Sequence, residues 1–238
     1  SDNCFAFSSD LNAIKNNKNN QLTINKSAVS EYLKTQYIPC PLTIYNECYK
    51  LPPATYIEIN LNYYEFKKVN SFDEFKIQKG IFFKKWWTLK FNKNISKIKN
   101  YKEVKNNTRE LIKESVKKQL ISDVPLGAFL SSGVDSSLIV ALMQQINGNT
   151  KTFTIGYENS FLNEANEAKL IASHLSTKHT ELIFKSKDLI NIVEEMPKVY
   201  SEPFADSSQI PTYMVSKLAS ENVKVALSGD GGDEIFGG

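Results

Sequence analysis

Residues 124–137 read Val124-Pro125-Leu126-Gly127-Ala128-Phe129-Leu130-Ser131-Ser132-Gly133-Val134-Asp135-Ser136-Ser137, and the fold is decided in this stretch. Leu126–Leu130 is a short apolar strand. Ser136 or Ser137 can cap a helix running through Ile146. Apolar residues lie nearly all round that helix, which implies burial. Between strand and helix sits a short turn rich in hydroxyls and glycine. Successive backbone N–H groups at such a turn, with the positive end of the helix dipole, make a nest for an anion. The hydroxyls of Ser131, Ser136 and Ser137 add donors. Asp135 belongs beside a phosphate when a magnesium ion lies between them. Taken alone, the same residues also describe a tight strand-to-helix turn with a serine cap.

Working outward, strands and helices alternate. Upstream, Val104, Leu111, Ile112, Val116 and Leu120 recur at helical spacing. Downstream, Thr152–Ile155 is a strand, Glu164–Leu175 a helix, and Thr180–Phe184 a strand. Asp188–Val199 is a helix ended near Pro197. Pro211–Ser220 is a helix with proline in its first turn, and Val223–Leu227 is the last strand. This alternation predicts an α/β fold, a parallel sheet with helices on both faces. Ligands of such sheets bind at the carboxyl ends of the strands. The loops after Leu130, Ile155 and Leu227 are therefore expected to carry the chemistry. The last of these reads Ser228-Gly229-Asp230-Gly231-Gly232-Asp233-Glu234. Its glycines allow close backbone approach, and its carboxylates need a compensating cation or proton. A flexible acidic turn is the plainer alternative. Neither GxxxxGK[ST] nor GxGxxG occurs, which argues against a P-loop enzyme and a Rossmann dehydrogenase.

Residues 1–90 differ in texture, being rich in Asn, Lys, Tyr and Phe. Ala28–Leu33 reads as a helix opened by Ser27, Thr55–Asn60 as a strand, and Phe72–Lys90 as an aromatic, lysine-rich connector packing at an interface. The 238 residues carry 29 Lys+Arg against 26 Asp+Glu, a net charge of +3, and Arg109 is the single arginine. That balance gives no reason to expect nucleic acid as a partner. No apolar run of about 18 residues is present, so no membrane helix is expected. Cys4, Cys40 and Cys48 form no CxxC pair and read as buried reduced thiols of a cytoplasmic protein. His174 and His179 read as structural or exposed. The chain starts at Ser1 and stops at Gly238, and it is expected to be a piece of a longer protein.

The ordered set of segments resembles the glutamine-hydrolysing asparagine synthetases. Val124–Ser137 resembles that family's pyrophosphate loop, SGGxDSS, and Leu227–Gly238 resembles its LSGDGGDELFGG segment. Glu202-Pro203-Phe204-Ala205-Asp206-Ser207-Ser208 with Pro211-Thr212-Tyr213, and Lys178-His179-Thr180-Glu181, also match it. Phe5–Leu11 and Tyr37–Pro53 resemble the end of its class II amidotransferase domain, with Ala54 where the family usually has glycine. The resemblance implies an adenine nucleotide α-hydrolase-like ATP pyrophosphatase fold at 91–238. It implies the C-terminal remnant of an N-terminal-nucleophile glutaminase domain (α+β) at 1–90. No residue here matches that domain's N-terminal cysteine nucleophile, so this chain is not expected to hydrolyse glutamine by itself.

The resemblance further implies a ligase using ATP and Mg2+. Aspartate would attack the α-phosphate to form β-aspartyl-AMP and pyrophosphate, and ammonia from the glutaminase domain would complete the amide. Ser131, Gly133, Ser136 and Ser137 are then expected to hold pyrophosphate. Leu130 and Ile155 would border the adenine, and Ser228 and Gly229 would meet the nucleotide. Asp135 and Asp233 are the expected magnesium ligands, and Asp230 the catalytic group. The full-length protein is expected as a homodimer. Two positions depart from the family: Ser132 stands for the first glycine of SGG, and Asp230 stands for a glutamate. An amidotransferase of the same family acting on a sugar or peptide carboxylate, or a non-catalytic remnant, are the alternative readings.

Overall fold

The computed structural model describes residues 5–17, 21–65, 69–90, 100–158 and 163–237. They fall into two compact units, Ser1–Lys93 with Glu195–Asp206, and Asn94–Glu194 with Ser207–Gly238. Cys4 lies outside the described residues.

The first unit contains α1 (Leu11–Lys15), α2 (Lys26–Thr35), β1 (Thr55–Ile59), α3 (Phe72–Lys76) and β2 (Ile81–Lys85). The cap of α2 is Asn25, whose side chain accepts the N–H groups of Ser27 and Ala28. Ser27 therefore lies inside the first turn and does not open the helix. The 72–90 stretch is not a connector. Its β2 pairs antiparallel with β1. Phe72 and Phe75 are buried with Tyr64 against Ile57, Ile59, Ile81 and Phe83. Alternation along β1 and β2 gives this small sheet one apolar face, and α3 covers it. Glu202 binds the 195–206 segment into this unit. One carboxylate oxygen accepts the Ile44 N–H at 2.6 Å, and the other meets Lys50 Nζ at 2.6 Å. Cys48 is buried as expected, whereas Cys40, also expected buried, is exposed. Burial, helped by the charges of Glu47 and Glu202, pushes the Cys48 thiol above its ordinary pKa.

The second unit contains α4 (Tyr101–Gln119), β3 (Leu126–Phe129), α5 (Val134–Asn147), β4 (Lys151–Tyr157), α6 (Ala165–His174) and β5 (Lys178–Phe184). Then follow α7 (Ser186–Val199), whose last turn belongs to the first unit, α8 (Gln209–Ser220), β6 (Val225–Leu227) and α9 (Gly232–Phe236). α7 ends at Val199, as expected, two residues past Pro197, and starts at Ser186 instead of Asp188. A proline so close to the C-terminus removes one hydrogen bond and disturbs only the final turn.

The sheet is parallel in the order β5-β4-β3-β6. One face buries Ala128 and Leu130 against Val116, Val140, Leu142, Met143, Ala168 and Ala172, from α4, α5 and α6. The other buries Phe153 against Leu218, Ala219 and Val223, at the end of α8 and beyond it. The expected α/β fold with both faces covered is thus the observed one. In α4 only part of the anticipated face is used. Ile112, Val116 and Leu120 pack inward, whereas Val104 and Leu111 are exposed. At about 100° per residue, those two lie roughly 90° or more round the helix from that row.

Two positions generate predictions. Ala54, in the turn before β1, has φ +55°, a region that costs an L-residue about 1 kcal/mol and glycine little. Ala54→Gly is expected to raise the unfolding free energy by roughly 0.5–1 kcal/mol in urea titration. His179 on β5 has Nδ1 3.0 Å from Thr152 Oγ1, and its buried Nε2 has no partner among the described residues. Burial holds its pKa below the ordinary value, with Lys169 adding to this and Glu181 opposing it. The unfolded chain then binds the proton more readily than the folded one. Stability should be flat above about pH 6.5 and fall as the pH drops below it. Melting scans of His179→Gln should show a flatter acid limb.

Candidate functional site

The strand order creates the site. From β3 the chain steps outward through α5 to β4 and through α6 to β5. β6 is laid on the opposite side of β3. Leu126 pairs with Val225, Gly127 with Ala226 and Ala128 with Leu227. The carboxyl ends of β3 and β6 are therefore neighbours at the point where the winding reverses, the place where open α/β sheets form a ligand crevice.

The loop leaving β3 is held by its own hydroxyls. Ser136 Oγ, buried, accepts the Ser131 N–H at 3.1 Å and lies 2.8 Å from Ser131 Oγ. Ser131 Oγ accepts the Gly133 N–H at 3.2 Å. Ser137 Oγ donates to the Gly133 carbonyl at 2.7 Å. The cap of α5 is Gly133, with no side-chain cap bond, so neither Ser136 nor Ser137 caps the helix as expected. Both sit in its first turn and bond backward to the loop. The opening N–H groups of α5 have no intrahelical acceptor and mark the positive end of its dipole. Ser132 has no positive φ, so serine there is unstrained. Its N–H and its Oγ both donate to Glu164 Oε2, at 3.2 and 2.9 Å.

The loop leaving β6 lies against that turn. A Cβ on Gly229 would come within 2.6 Å of Ser136 N, and one on Gly232 would fall on the Asp135 carboxylate. Only glycine permits this approach. Gly231 also needs its freedom, at φ +89°. Ser228 Oγ donates to Asp230 Oδ2 at 2.9 Å. Asp233 and Glu234 lie exposed in the first turn of α9.

Leu130 is buried; its N–H donates to Phe153 O at 3.0 Å, and its carbonyl accepts Thr154 Oγ1 at 2.5 Å. β3 ends opposite Phe153, and β4 continues to Tyr157. Backbone groups two residues apart on a strand point the same way, so those of Ile155 face the side that β3 has vacated. The structure thus brings Leu130, Ser131, Gly133, Asp135, Ser136, Ser137, Ser228 and Gly229 together, with Ile155 at the adjoining strand end. No group of three or more metal-ligating side chains occurs among the described residues. Glu164 was legible only as a helix start. Its contact with Ser132 joins positions 32 residues apart, and no local pattern announces it.

The asparagine synthase family profile matches residues 107–238, and the glutamine amidotransferase domain profile matches residues 1–69. The chain is 36% identical to a putative glutamine-hydrolysing asparagine synthetase 2 of Methanocaldococcus jannaschii, over 98% of this chain and 42% of that protein. It is 33% identical to asparagine synthetase 1 of Bacillus subtilis, over 92% of this chain and 32% of that one. Asparagine synthetase 3 of Arabidopsis thaliana is 37% identical over 55% of this chain and 24% of its own length. The chain therefore spans well under half the length of these relatives. No helix among the described residues is long and apolar enough to cross a membrane.

The packing of Gly229 makes a sharp prediction. Gly229→Ala should separate the β6 loop from α5 and cost about 1–3 kcal/mol of stability, read by chemical denaturation. Gly133→Ala, whose Cβ would meet only Ser131 Oγ at 3.2 Å, should cost clearly less.

Proposed function

The chain belongs to the asparagine synthase family, and on that premise we propose that its second unit opens an ATP-dependent, amide-forming synthetase domain. Residues 91–238 are assigned to that domain and residues 1–90 to the end of a glutamine amidotransferase domain. The observation that carries the reading is the β3–β6 crevice, where a helix N-terminus rich in donors faces a glycine-rich loop bearing carboxylates.

A carboxylate oxygen of aspartate attacks the α-phosphorus of ATP. The bond from that phosphorus to the bridging oxygen breaks, and pyrophosphate leaves. Ammonia then attacks the acyl carbon, AMP departs, and one proton is released. Ser131, Gly133, Ser136 and Ser137 hold the pyrophosphate through hydroxyls and backbone N–H groups. Pre-aimed donors of this kind stabilise charge as it develops. Ser228 and Gly229 border the nucleotide, and the strand ends at Leu130 and Ile155 flank the adenine. Asp230, oriented by Ser228 Oγ, takes up the proton lost as ammonia becomes amide.

Magnesium suits the acids present. Asp135 is half-buried beside Gly232 and has no hydrogen-bond or ion-pair partner among the described residues. A hard carboxylate oxygen left so is the donor that magnesium prefers. Asp135 and Asp233 would hold the ion, which would neutralise charge on the departing pyrophosphate. Ammonia is supplied by glutamine hydrolysis in the full-length protein, for which a cytoplasmic location is proposed.

Incorporation of labelled pyrophosphate into ATP tests the reading. The protein should catalyse this exchange with aspartate and magnesium present, and Asp135→Asn should lower it by at least about a hundredfold. Exchange supported by another carboxylate but not by aspartate would change the substrate. Absence of exchange with any carboxylate would defeat the proposal.

A further inference from the structure

Glu164 stands at the N-cap position of α6 yet makes no cap bond to its own helix. Its side chain turns to the neighbouring loop instead. There a single oxygen, Oε2, takes both the N–H and the hydroxyl of Ser132. Two donors from one residue converging on one carboxylate oxygen define the orientation of the Ser132 peptide. Charge-assisted bonds of this sort are stronger than neutral ones. Ser132 lies at the crest of the loop, between Ser131 and Gly133. Both of those neighbours are tied into the hydroxyl network of the first turn of α5. The loop is thereby pinned on two sides: inward through Ser131–Ser136, outward through Ser132–Glu164.

We propose that Glu164 is a positioning residue for the anion-binding loop. By fixing the Ser132 peptide it holds the donors of Ser131, Gly133 and the α5 terminus in the arrangement that receives a pyrophosphate group. The inference deepens the proposed function and rests on its assignment of pyrophosphate to this loop. It also gives the departure at Ser132 a physical meaning. Glycine at that position would offer only its N–H to Glu164 and leave the crest freer. Serine supplies a second bond from its hydroxyl, with no backbone strain. A loop ordered before binding loses less entropy when the ligand arrives.

The test is calorimetric titration of the whole chain with magnesium pyrophosphate and, separately, with adenosine, which has no phosphate. Adenosine should meet only the strand-end part of the crevice. Glu164→Ala is expected to weaken pyrophosphate binding about tenfold and leave adenosine binding within about twofold. Glu164→Gln keeps an acceptor oxygen and should recover pyrophosphate binding to within about threefold of the parent. Ser132→Ala, lacking only the hydroxyl, should fall between parent and Glu164→Ala.

Several results would overturn the inference. Glu164→Ala could bind pyrophosphate like the parent. Glu164→Gln could bind it more tightly than the parent, which would make the carboxylate a competitor of the ligand and not its support. Both ligands could weaken in parallel, which would reduce Glu164 to a general structural role. Failure of the parent to bind pyrophosphate at all would instead reject the assignment of this loop, and the inference with it.

Discussion

Everything distinctive about the crevice follows from one pairing, that of β3 with β6. Their six paired residues put the ends of two strands side by side, although Leu130 and Ser228 are far apart in the chain. Had β6 been added beyond β5, two strands would separate the loop Ser228–Glu234 from the turn Ser131–Ser137. The pairing is parallel, so it needs a long crossover, and the chain between β5 and β6 supplies it through α7 and α8. The apolar contacts of Phe153 with Leu218 and Val223 hold the end of that crossover against the sheet. Burial at one face thus sets which loops can meet at the carboxyl edge.

Close approach at that edge imposes a second constraint. Gly229 and Gly232 leave no room for a side chain against Asp135 and Ser136. Glycine is normally a liability in ordered backbone because it loses the most freedom on folding. Here its cost is offset by bringing a second stretch of backbone to a helix N-terminus. Several polar groups of the first loop are meanwhile bonded within it. Ser131 and Ser136 bond to each other, Ser137 donates to the Gly133 carbonyl, and Thr154 covers the Leu130 carbonyl from the buried face. Such a network rigidifies the turn, while the opening N–H groups of α5 stay outside it.

The sequence made the sheet legible because each element states its period plainly. Leu126–Phe129 and Thr152–Ile155 are short apolar runs followed by helices, and their parallel arrangement needs nothing more than that alternation. The two loops were legible as loops from composition, since serines and glycines cluster between each strand and the helix that follows it. What escaped the reading depended on distant partners. The 72–90 stretch looks like a connector until Phe72 and Phe75 meet Tyr64. Asn25 outcompetes Ser27 as a cap because its side chain reaches two N–H groups at once. The membership of 195–206 in the first unit rests on Glu202 finding Lys50 and Ile44, more than 150 positions away, and no local pattern encodes that.

The chemistry of the crevice also explains a feature of the composition. A chain with a single arginine lacks the bidentate fork that many proteins use for phosphate. On the proposed reading the β3–β6 crevice would not need one. Its attraction for an anion would come from the first turn of α5 and from hydroxyl and amide hydrogens, which add no net charge. Carboxylates at Asp135, Asp230 and Asp233 would repel a polyphosphate by themselves. They are tolerable where a divalent cation is shared between protein and ligand. Recognition built this way would tie affinity to loop geometry more than to charge count. A displacement of the Ser132 crest or of Gly229 then matters more than the loss of any surface lysine.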